Sequence, residues 1–309
     1  MKLLLSKPRG FCAGVVRAID TVEEALKLWG APIYVKHEIV HNRHVVDGLK
    51  AKGAIFIEDL DEVPEGARII YSAHGVSPTV REHAKRRNLI EIDATCGLVT
   101  RVHSAVKRFA AKGYKVILIG KRKHVEIIGT AGEAPEATIV VESVAEVDKL
   151  EFEPGQKLFY TTQTTLSIYD VQEVVDRLIE RFPHIETLPS ASICYATTNR
   201  QLALNEVCDA CDVVLVAGDP MSSNSNRLRE IASKQGIASY LINADHEIDP
   251  VWFEGVKTIG LTAGASTPED VVQSIIDRLC ALGVTEKEEV VFTEENVFFQ
   301  LPKQVLTST

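Results

Sequence analysis

The chain lacks the features that mark several broad classes of protein. Its 309 residues carry a formal net charge of −9, so the basic excess that is typical of nucleic-acid binding is missing. No apolar run approaches the roughly 20 residues that cross a bilayer. The start, MKLLLSKPRG, has no long apolar region and no cleavage site, so a first strand is predicted there instead of a signal peptide. We therefore expect a cytoplasmic protein that binds neither membrane nor nucleic acid.

Two phosphate-binding signatures and a disulfide framework are also absent. The sequence contains no G-x-x-x-x-G-K-[ST] motif and no G-x-G-x-x-G motif, which excludes a P-loop and a dinucleotide fingerprint. Six cysteines in a chain of this length are too sparse for a disulfide scaffold, so reduced thiols are expected. Any phosphate would have to be bound by other side chains.

Strand-like and helix-like segments alternate along the whole chain. Short β-branched runs at 116–119 and 213–216 are typical of strands buried on both faces. Apolar residues at helical spacing occur between such runs, for example over 15–29. This alternation predicts an α/β fold with mostly parallel sheets covered by helices.

Three cysteines lie in small-residue turns, one in each third of the chain, at Cys12, Cys96 and Cys194. They suggest three lobes that converge on one centre. Three thiolates are one short of a closed zinc site or a fully ligated iron–sulfur cluster, which leaves an open position for chemistry. Cys208 and Cys211 form a CxxC pair at the end of a helical segment, and we expect them, like Cys280, to pack structurally.

The domain boundaries are predicted to follow these cysteines. We expect three α/β lobes and a C-terminal tail that packs back on the body, over residues 1–96, 97–193, 194–282 and 283–309. The tail has strand-like runs at 289–293 and 296–301.

Polar residues cluster after several predicted strands, where ligands bind in open α/β sheets. The run of Ser and Asn over 222–226 precedes a predicted helix and is either an anion site or a plain N-cap. His41, His74 and His124 each lie near a strand end or a helix start, so together they could bind a diphosphate or shuttle protons. Glu126 is a candidate general acid, although a solvated Glu at a helix start fits the spacing equally well.

At these residues the chain resembles the 4-hydroxy-3-methylbut-2-enyl diphosphate reductase family over nearly its whole length. The motifs that carry the resemblance are PRGFCAGV at 8–15, EIVHN at 38–42, SAHGV at 72–76, DATC at 93–96, TQTTL at 162–166, CYATTNRQ at 194–201, SSNSNRL at 222–228 and TAGAS at 262–266. The resemblance implies three similar α/β lobes arranged as a trefoil around a central 4Fe–4S cluster.

The resemblance also implies a role for each site residue. Cys12, Cys96 and Cys194 would be the cluster ligands, and the fourth iron would take the hydroxyl oxygen of the substrate. Glu126 would deliver protons, with Thr164 beside the hydroxyl. The diphosphate would be held by His41, His74, His124, Ser222, Ser223, Asn224 and Ser266. The implied reaction is reductive dehydroxylation to isopentenyl or dimethylallyl diphosphate, with electrons from ferredoxin or flavodoxin.

Three positions depart from the family's usual pattern. Gly97 replaces a Pro after the second cysteine, and Lys121 and Val125 replace a His and a Pro in the loop that carries His124 and Glu126. Because Cys96, His124 and Glu126 remain, these substitutions bear on the rigidity of the turn and the loop more than on the reaction.

Two other functions remain open from the residues. A non-catalytic iron–sulfur sensor or binding protein could use the same three cysteines. A thiol or zinc hydrolase is disfavoured because there is no paired CxxC…CxxC, and the H-E-x-x-H match at 37–41 precedes the helix that such a site needs. The dense Ser, Asn and His residues favour an enzyme over a sensor.

Overall fold

The computed structural model of the chain describes residues 1–188 and 192–306. It divides into two compact units. The first unit comprises Met1–Val16, His41–Val46 and the described part of Tyr195–Phe298. The second comprises the described parts of Arg17–Val40, Asp47–Cys194 and Phe299–Thr309.

Strands and helices alternate through the described residues. The strands are β1 (Lys2–Lys7), β2 (Ile33–Lys36), β3 (Ala54–Ile57), β4 (Arg68–Tyr71), β5 (Ile90–Asp93), β6 (Lys115–Ile119), β7 (Thr138–Val141), β8 (Leu158–Thr162), β9 (Val213–Ala217), β10 (Ala238–Ile242), β11 (Thr258–Ala263) and β12 (Glu286–Val291). The helices are α1 (Ala13–Trp29), α2 (Arg43–Ala51), α3 (Pro78–Arg86), α4 (Gly97–Ala111), α5 (Val125–Ala131), α6 (Val144–Val147), α7 (Ile168–Arg181), α8 (Tyr195–Cys208), α9 (Ser223–Lys234), α10 (Glu269–Ala281) and α11 (Lys303–Leu306).

The strands form three sheets. The first unit holds a five-stranded sheet in the order β10-β9-β11-β1-β12, and the second unit holds two sheets in the orders β3-β2-β4-β5 and β7-β6-β8. All strand pairs of these sheets are parallel. The predicted α/β class with parallel sheets is therefore confirmed, and the trefoil arrangement stays a prediction.

The first strand lies in the sheet of the last third of the chain. β1 pairs with β11 on one side and β12 on the other, with Leu3 opposite Ile259 and Lys287. Leu3 and Leu4 are both buried, as expected for a strand with a neighbour on each side. Strand β1 therefore pairs with strands of the last third of the chain and not with strands of the expected lobe over 1–96. The sequence could not show this, because hydrophobic spacing identifies a strand and not its partner. The lobe boundaries stay a prediction.

The C-terminal segment forms one strand where two strand-like runs were expected. β12 overlaps the run at 289–293, whereas residues 296–301 contain no strand. In that stretch the carbonyl oxygen of Gln300 accepts a hydrogen bond from Arg17 Nε at 2.7 Å. The Arg17 side chain thus bonds a backbone oxygen that would bond a neighbouring strand if this stretch were itself a strand.

Helix α2 begins at Arg43, directly after Asn42. The reason is a cap: the side-chain oxygen of Asn42 accepts a hydrogen bond from the backbone of Val45 at 3.3 Å. His37 and His41 therefore precede the helix, as expected for the H-E-x-x-H match. Among the described residues, no helix has both the length and the apolar character that a bilayer crossing requires.

Candidate active site

Each cysteine predicted as a ligand directly precedes a helix. Cys12 precedes α1, Cys96 precedes α4 and Cys194 precedes α8. All three side chains are half-buried, and the described cysteines form no disulfide. The partial positive charge at a helix N-terminus stabilises negative charge on a sulfur that faces it. A thiol in such a position is suited to be a ligand of an iron–sulfur cluster.

The backbone N–H groups of the three cysteines also make the same type of hydrogen bond. In each case the cysteine N–H donates to the carbonyl oxygen of the residue two positions beyond the end of a strand. The pairs are Cys12 with Ala265 after β11 at 3.3 Å, Cys96 with Ala73 after β4 at 3.0 Å, and Cys194 with Thr164 after β8 at 3.1 Å. The acceptors are next to Ser266 and His74 and, in the third case, Thr164 itself. Each cysteine turn is thus attached to a strand-end loop that carries a predicted substrate-binding residue.

The second unit contains a buried carboxyl group at Glu126. Only 2% of this residue is exposed. Its Oε1 accepts the Thr164 backbone N–H at 2.6 Å, and its Oε2 accepts the Thr164 hydroxyl at 3.0 Å. Burial raises the pKa of Glu126 to about 7, against the opposing effect of the two Thr164 hydrogen bonds. A carboxyl group with this pKa holds a proton near neutral pH and can give it up, which is what a general acid needs.

Two of the histidines that were predicted to bind substrate, His74 and His124, lie near α5, the helix that carries Glu126. His124 is the N-cap of α5, and its Nδ1 accepts the Glu126 backbone N–H at 3.2 Å, so a neutral His124 carries its proton on Nε2. The rings of His74 and His124 meet edge to face with centroids 5.9 Å apart. Ser72 Oγ lies 3.3 Å from Nδ1 of His74. The second unit therefore brings together His74, His124, Glu126 and Thr164.

The first unit brings together the remaining polar residues. Ser222 caps α9 by accepting the Ser225 backbone N–H at 3.3 Å, so the plain-cap interpretation is correct for that hydroxyl oxygen. Asn224 Oδ1 accepts the Ala265 N–H at 2.8 Å, and the Ser266 hydroxyl donates to the carbonyl oxygen of His41 at 3.0 Å. Helix α9 begins at Ser223, inside the Ser and Asn run that was predicted to precede it, which places Ser223 and Asn224 in its first turn.

Buried donors in these loops are left without an acceptor among the described residues. They are the side-chain nitrogens of Asn42 and Asn224 and the hydroxyl of Ser225. Ser225 packs against Gly218 and Gly264, where any Cβ would clash with its Oγ. Because an unsatisfied buried donor costs free energy, such groups indicate a place for an acceptor-rich ligand. The amide of Asn224 is therefore well suited to a phosphate oxygen.

The departures from the usual family motifs leave these elements intact. Val125 is the first residue of α5, where proline is common because its missing N–H costs nothing, and the His124 cap stabilises the turn instead. A Cβ at Gly97 would meet Phe299 at an ordinary 3.5 Å, so glycine is not required there by lack of space.

Sequence reasoning missed one buried charged group, Arg200. It is fully buried and bonds the carbonyl oxygens of Gly10 and Phe11 and the carboxylate of Glu295. Arg200 does lie in the motif that follows Cys194, which was a usable signal. Glu295 gave no comparable signal, because nothing local to it predicts a partner so distant in the chain.

Comparison with known proteins shows which family the chain belongs to. A family model described as LytB protein matches residues 3–280. The chain is 70% identical over 308 residues to 4-hydroxy-3-methylbut-2-enyl diphosphate reductase of Protochlamydia amoebophila, covering 100% of this chain and 98% of that protein. It is 60% identical to the protein of the same name from Chlamydia pneumoniae, covering 99% of each. The solved E-1-hydroxy-2-methyl-but-2-enyl-4-diphosphate reductase of Plasmodium falciparum matches with a TM-score of 0.97 and 50% identity, over 99% of this chain and 96% of that one.

Proposed function

Since the chain belongs to the LytB family, we propose that it reduces 4-hydroxy-3-methylbut-2-enyl diphosphate to isopentenyl and dimethylallyl diphosphate, the last step of the non-mevalonate isoprenoid pathway. The reaction consumes two electrons and two protons and releases the hydroxyl group as water. We place it in the cytoplasm, with ferredoxin or flavodoxin as the electron donor.

Family membership implies an iron–sulfur enzyme, and the proposal assigns one 4Fe–4S cluster to Cys12, Cys96 and Cys194. When bound, such a cluster supplies the electrons one at a time. The chain's own contribution is to hold three half-buried thiols at helix N-termini by matching backbone hydrogen bonds.

The diphosphate is assigned to His41, His74, His124, Ser222, Ser223, Asn224 and Ser266. The support is the neutral donors of the first unit, above all the unsatisfied amide of Asn224, and the neighbouring rings of His74 and His124 in the second. Neutral and cationic donors of this kind form charge-assisted hydrogen bonds with phosphate oxygens.

The proton is assigned to Glu126. Hydroxide is a poor leaving group from carbon, so a proton has to reach the oxygen as the C–O bond breaks. Glu126 is protonated below a pH of about 7 and is fixed by both hydrogen bonds from Thr164. His124, whose Nδ1 accepts the Glu126 backbone N–H, holds the first turn of α5 in place and so helps to fix the position of Glu126.

The observation that carries this proposal is the repeated attachment of Cys12, Cys96 and Cys194 to strand-end loops that bear the substrate-binding residues. The test is anaerobic purification followed by iron and sulfide analysis and an assay with the allylic diphosphate. We expect about four irons per chain, reductase activity, and loss of both in serine variants of each of the three cysteines. Full iron content in Cys96→Ser would refute the ligand assignment. A brown protein without turnover would instead support the sensor function.

A further inference from the structure

Arg200 connects three parts of the first unit from a fully buried position on α8. Its Nε and Nη2 donate to the carbonyl oxygen of Gly10 at 3.0 and 2.8 Å, and Nη2 also reaches that of Phe11 at 3.3 Å. Its Nη1 donates to the carbonyl oxygen of Ala196 at 2.9 Å and to the two oxygens of Glu295 at 3.1 and 3.2 Å. Every nitrogen of the guanidinium therefore has an acceptor.

The guanidinium fixes the turn that leads into Cys12. Gly10 has a φ of 66°, a left-handed conformation that favours glycine, and its N–H donates to the carbonyl oxygen of Ala263 at 3.2 Å. The Cys12 N–H donates to Ala265 in the loop that follows β11. The N–H groups of the turn thus point to that loop, while the carbonyl oxygens of Gly10 and Phe11 accept from Arg200.

Glu295 is what allows a guanidinium to be buried there. An isolated buried charge is costly, and a partner carboxylate with good geometry offsets that cost. Glu295 is largely buried, and the Asn199 amide also donates to its Oε1 at 3.0 Å. The acid comes from the C-terminal segment, beyond residue 280, where the match to the family model ends.

We propose that Arg200 and Glu295 are positioning residues for Cys12, so that the C-terminal segment around Glu295 is part of the machinery that retains the cluster. This inference rests on the proposed function, because Cys12 is a ligand only there. Without the carboxylate, the buried guanidinium draws in water or moves, and the carbonyl oxygens of Gly10 and Phe11 lose their fixed donor.

The test compares Glu295→Gln and Glu295→Ala with Glu294→Gln, a matched control. Glu294 is the exposed neighbour that pairs with Lys7 at 3.3 Å. The full-length, cluster-loaded variants are exposed to air, and cluster loss is followed by absorbance and iron content. In parallel, the rate of alkylation of each cysteine by iodoacetamide is measured by peptide mass spectrometry.

We expect the Glu295 variants to lose the cluster and to alkylate Cys12 at least about tenfold faster than wild type, since removing one partner of a buried ion pair shifts local opening by at least a decade. Cys280 serves as the internal reference and should be unaffected, and Glu294→Gln should match wild type. Arg200→Lys, which keeps the charge and loses the fork, should be intermediate.

Three outcomes separate the possibilities. If both Glu295 variants match Glu294→Gln while Cys12→Ser loses its iron, the positioning role is refuted and the proposed function stands. If the Glu295 variants only melt at a lower temperature, with Cys12 and Cys280 alkylated faster by equal factors, Glu295 is merely structural and the inference also fails. If Cys12→Ser keeps full iron, the ligand assignment itself is overturned.

Discussion

The candidate residues of the second unit surround a buried carboxyl group, whereas those of the first unit are mainly amides and hydroxyls. Glu126 is buried against Thr164, and burial raises its pKa to about 7. Asn224 and Ser266 are also buried but carry no charge at any working pH. Under the proposed function, this difference predicts a division of labour: Glu126 of the second unit changes protonation state, and Asn224 and Ser266 of the first bind the anion without taking part in proton transfer. Variants of the two units should therefore affect different kinetic constants.

The largest effect should come from Glu126→Gln. Gln keeps the size of the side chain and accepts the Thr164 N–H, but it cannot release a proton, so kcat should fall at least about a hundredfold. Iron content and substrate affinity should be unchanged. Single-turnover product formation from chemically reduced protein measures the chemical step directly. An exposed counterpart in the same unit, Glu173→Gln on α7, should behave as wild type. A kcat near that of wild type in Glu126→Gln would mean that another group supplies the proton.

Asn224→Ala should produce the converse pattern. Loss of a charge-assisted hydrogen bond costs about 1.5–3 kcal/mol, so the KM for the diphosphate should rise roughly tenfold to a hundredfold with a smaller change in kcat. Asn205→Ala on α8, whose amide oxygen accepts from Gln235, is the control for removing a buried or bonded amide elsewhere. If Asn224→Ala lowered kcat and left KM unaltered, the division of labour between the units would be incorrect.

A subtler test uses the pH dependence of the chemical step. The acid form of Glu126 is present below a pH of about 7 and is lost above it, so the single-turnover rate should fall as the pH rises through that value. The Thr164 hydroxyl favours the carboxylate and so lowers this pKa. Thr164→Val should therefore move the alkaline decline to higher pH, by up to about one unit. A decline that moved to lower pH would contradict the assignment.

The smallest effect should come from Cys208→Ser. The first unit contains four cysteines, and only Cys12 precedes a helix; Cys208 ends one. Burial raises the pKa of Cys208 to about 11 and that of Cys211 to about 12, so neither is a ready thiolate. Iron and sulfide content of Cys208→Ser should equal wild type within error. Loss of iron in this variant would mean that Cys208, like Cys12, is a cluster ligand in the first unit.

The sequence supports the local elements and the ligand set better than it supports long-range pairing. Helix α1 and strands such as β9 follow from hydrophobic spacing, which is a local property. Short strands such as β3 and β5 were missed because four residues give too little periodicity. The cysteines and Glu126 stood out because their residue types are unusual at strand ends and helix starts.

What could not be predicted depends on tertiary contacts. Spacing alone could not distinguish a solvated Glu126 from a buried one, since the answer lies with Thr164, which follows a different strand. The pairing of Arg200 with Glu295 joins residues of opposite charge that are remote in the chain. The stretch over 296–301 looked like a strand because its composition suits one, yet the backbone of Gln300 is bonded by Arg17.

The place of β1 has a consequence for how the protein matures. Strand β1 lies between β11 and β12, which follow it in the chain by more than two hundred and fifty residues. We therefore expect residues 2–7 to stay unpaired until β11 has been synthesised, because contacts this distant in sequence form slowly. Cys12 lies five residues beyond the end of that strand, and its N–H donates to Ala265 after β11, so its turn is completed only once β11 is in place. Under the proposed function, we therefore expect iron and sulfide to be delivered after translation, and an N-terminal fragment released early to expose a thiol that has no binding site.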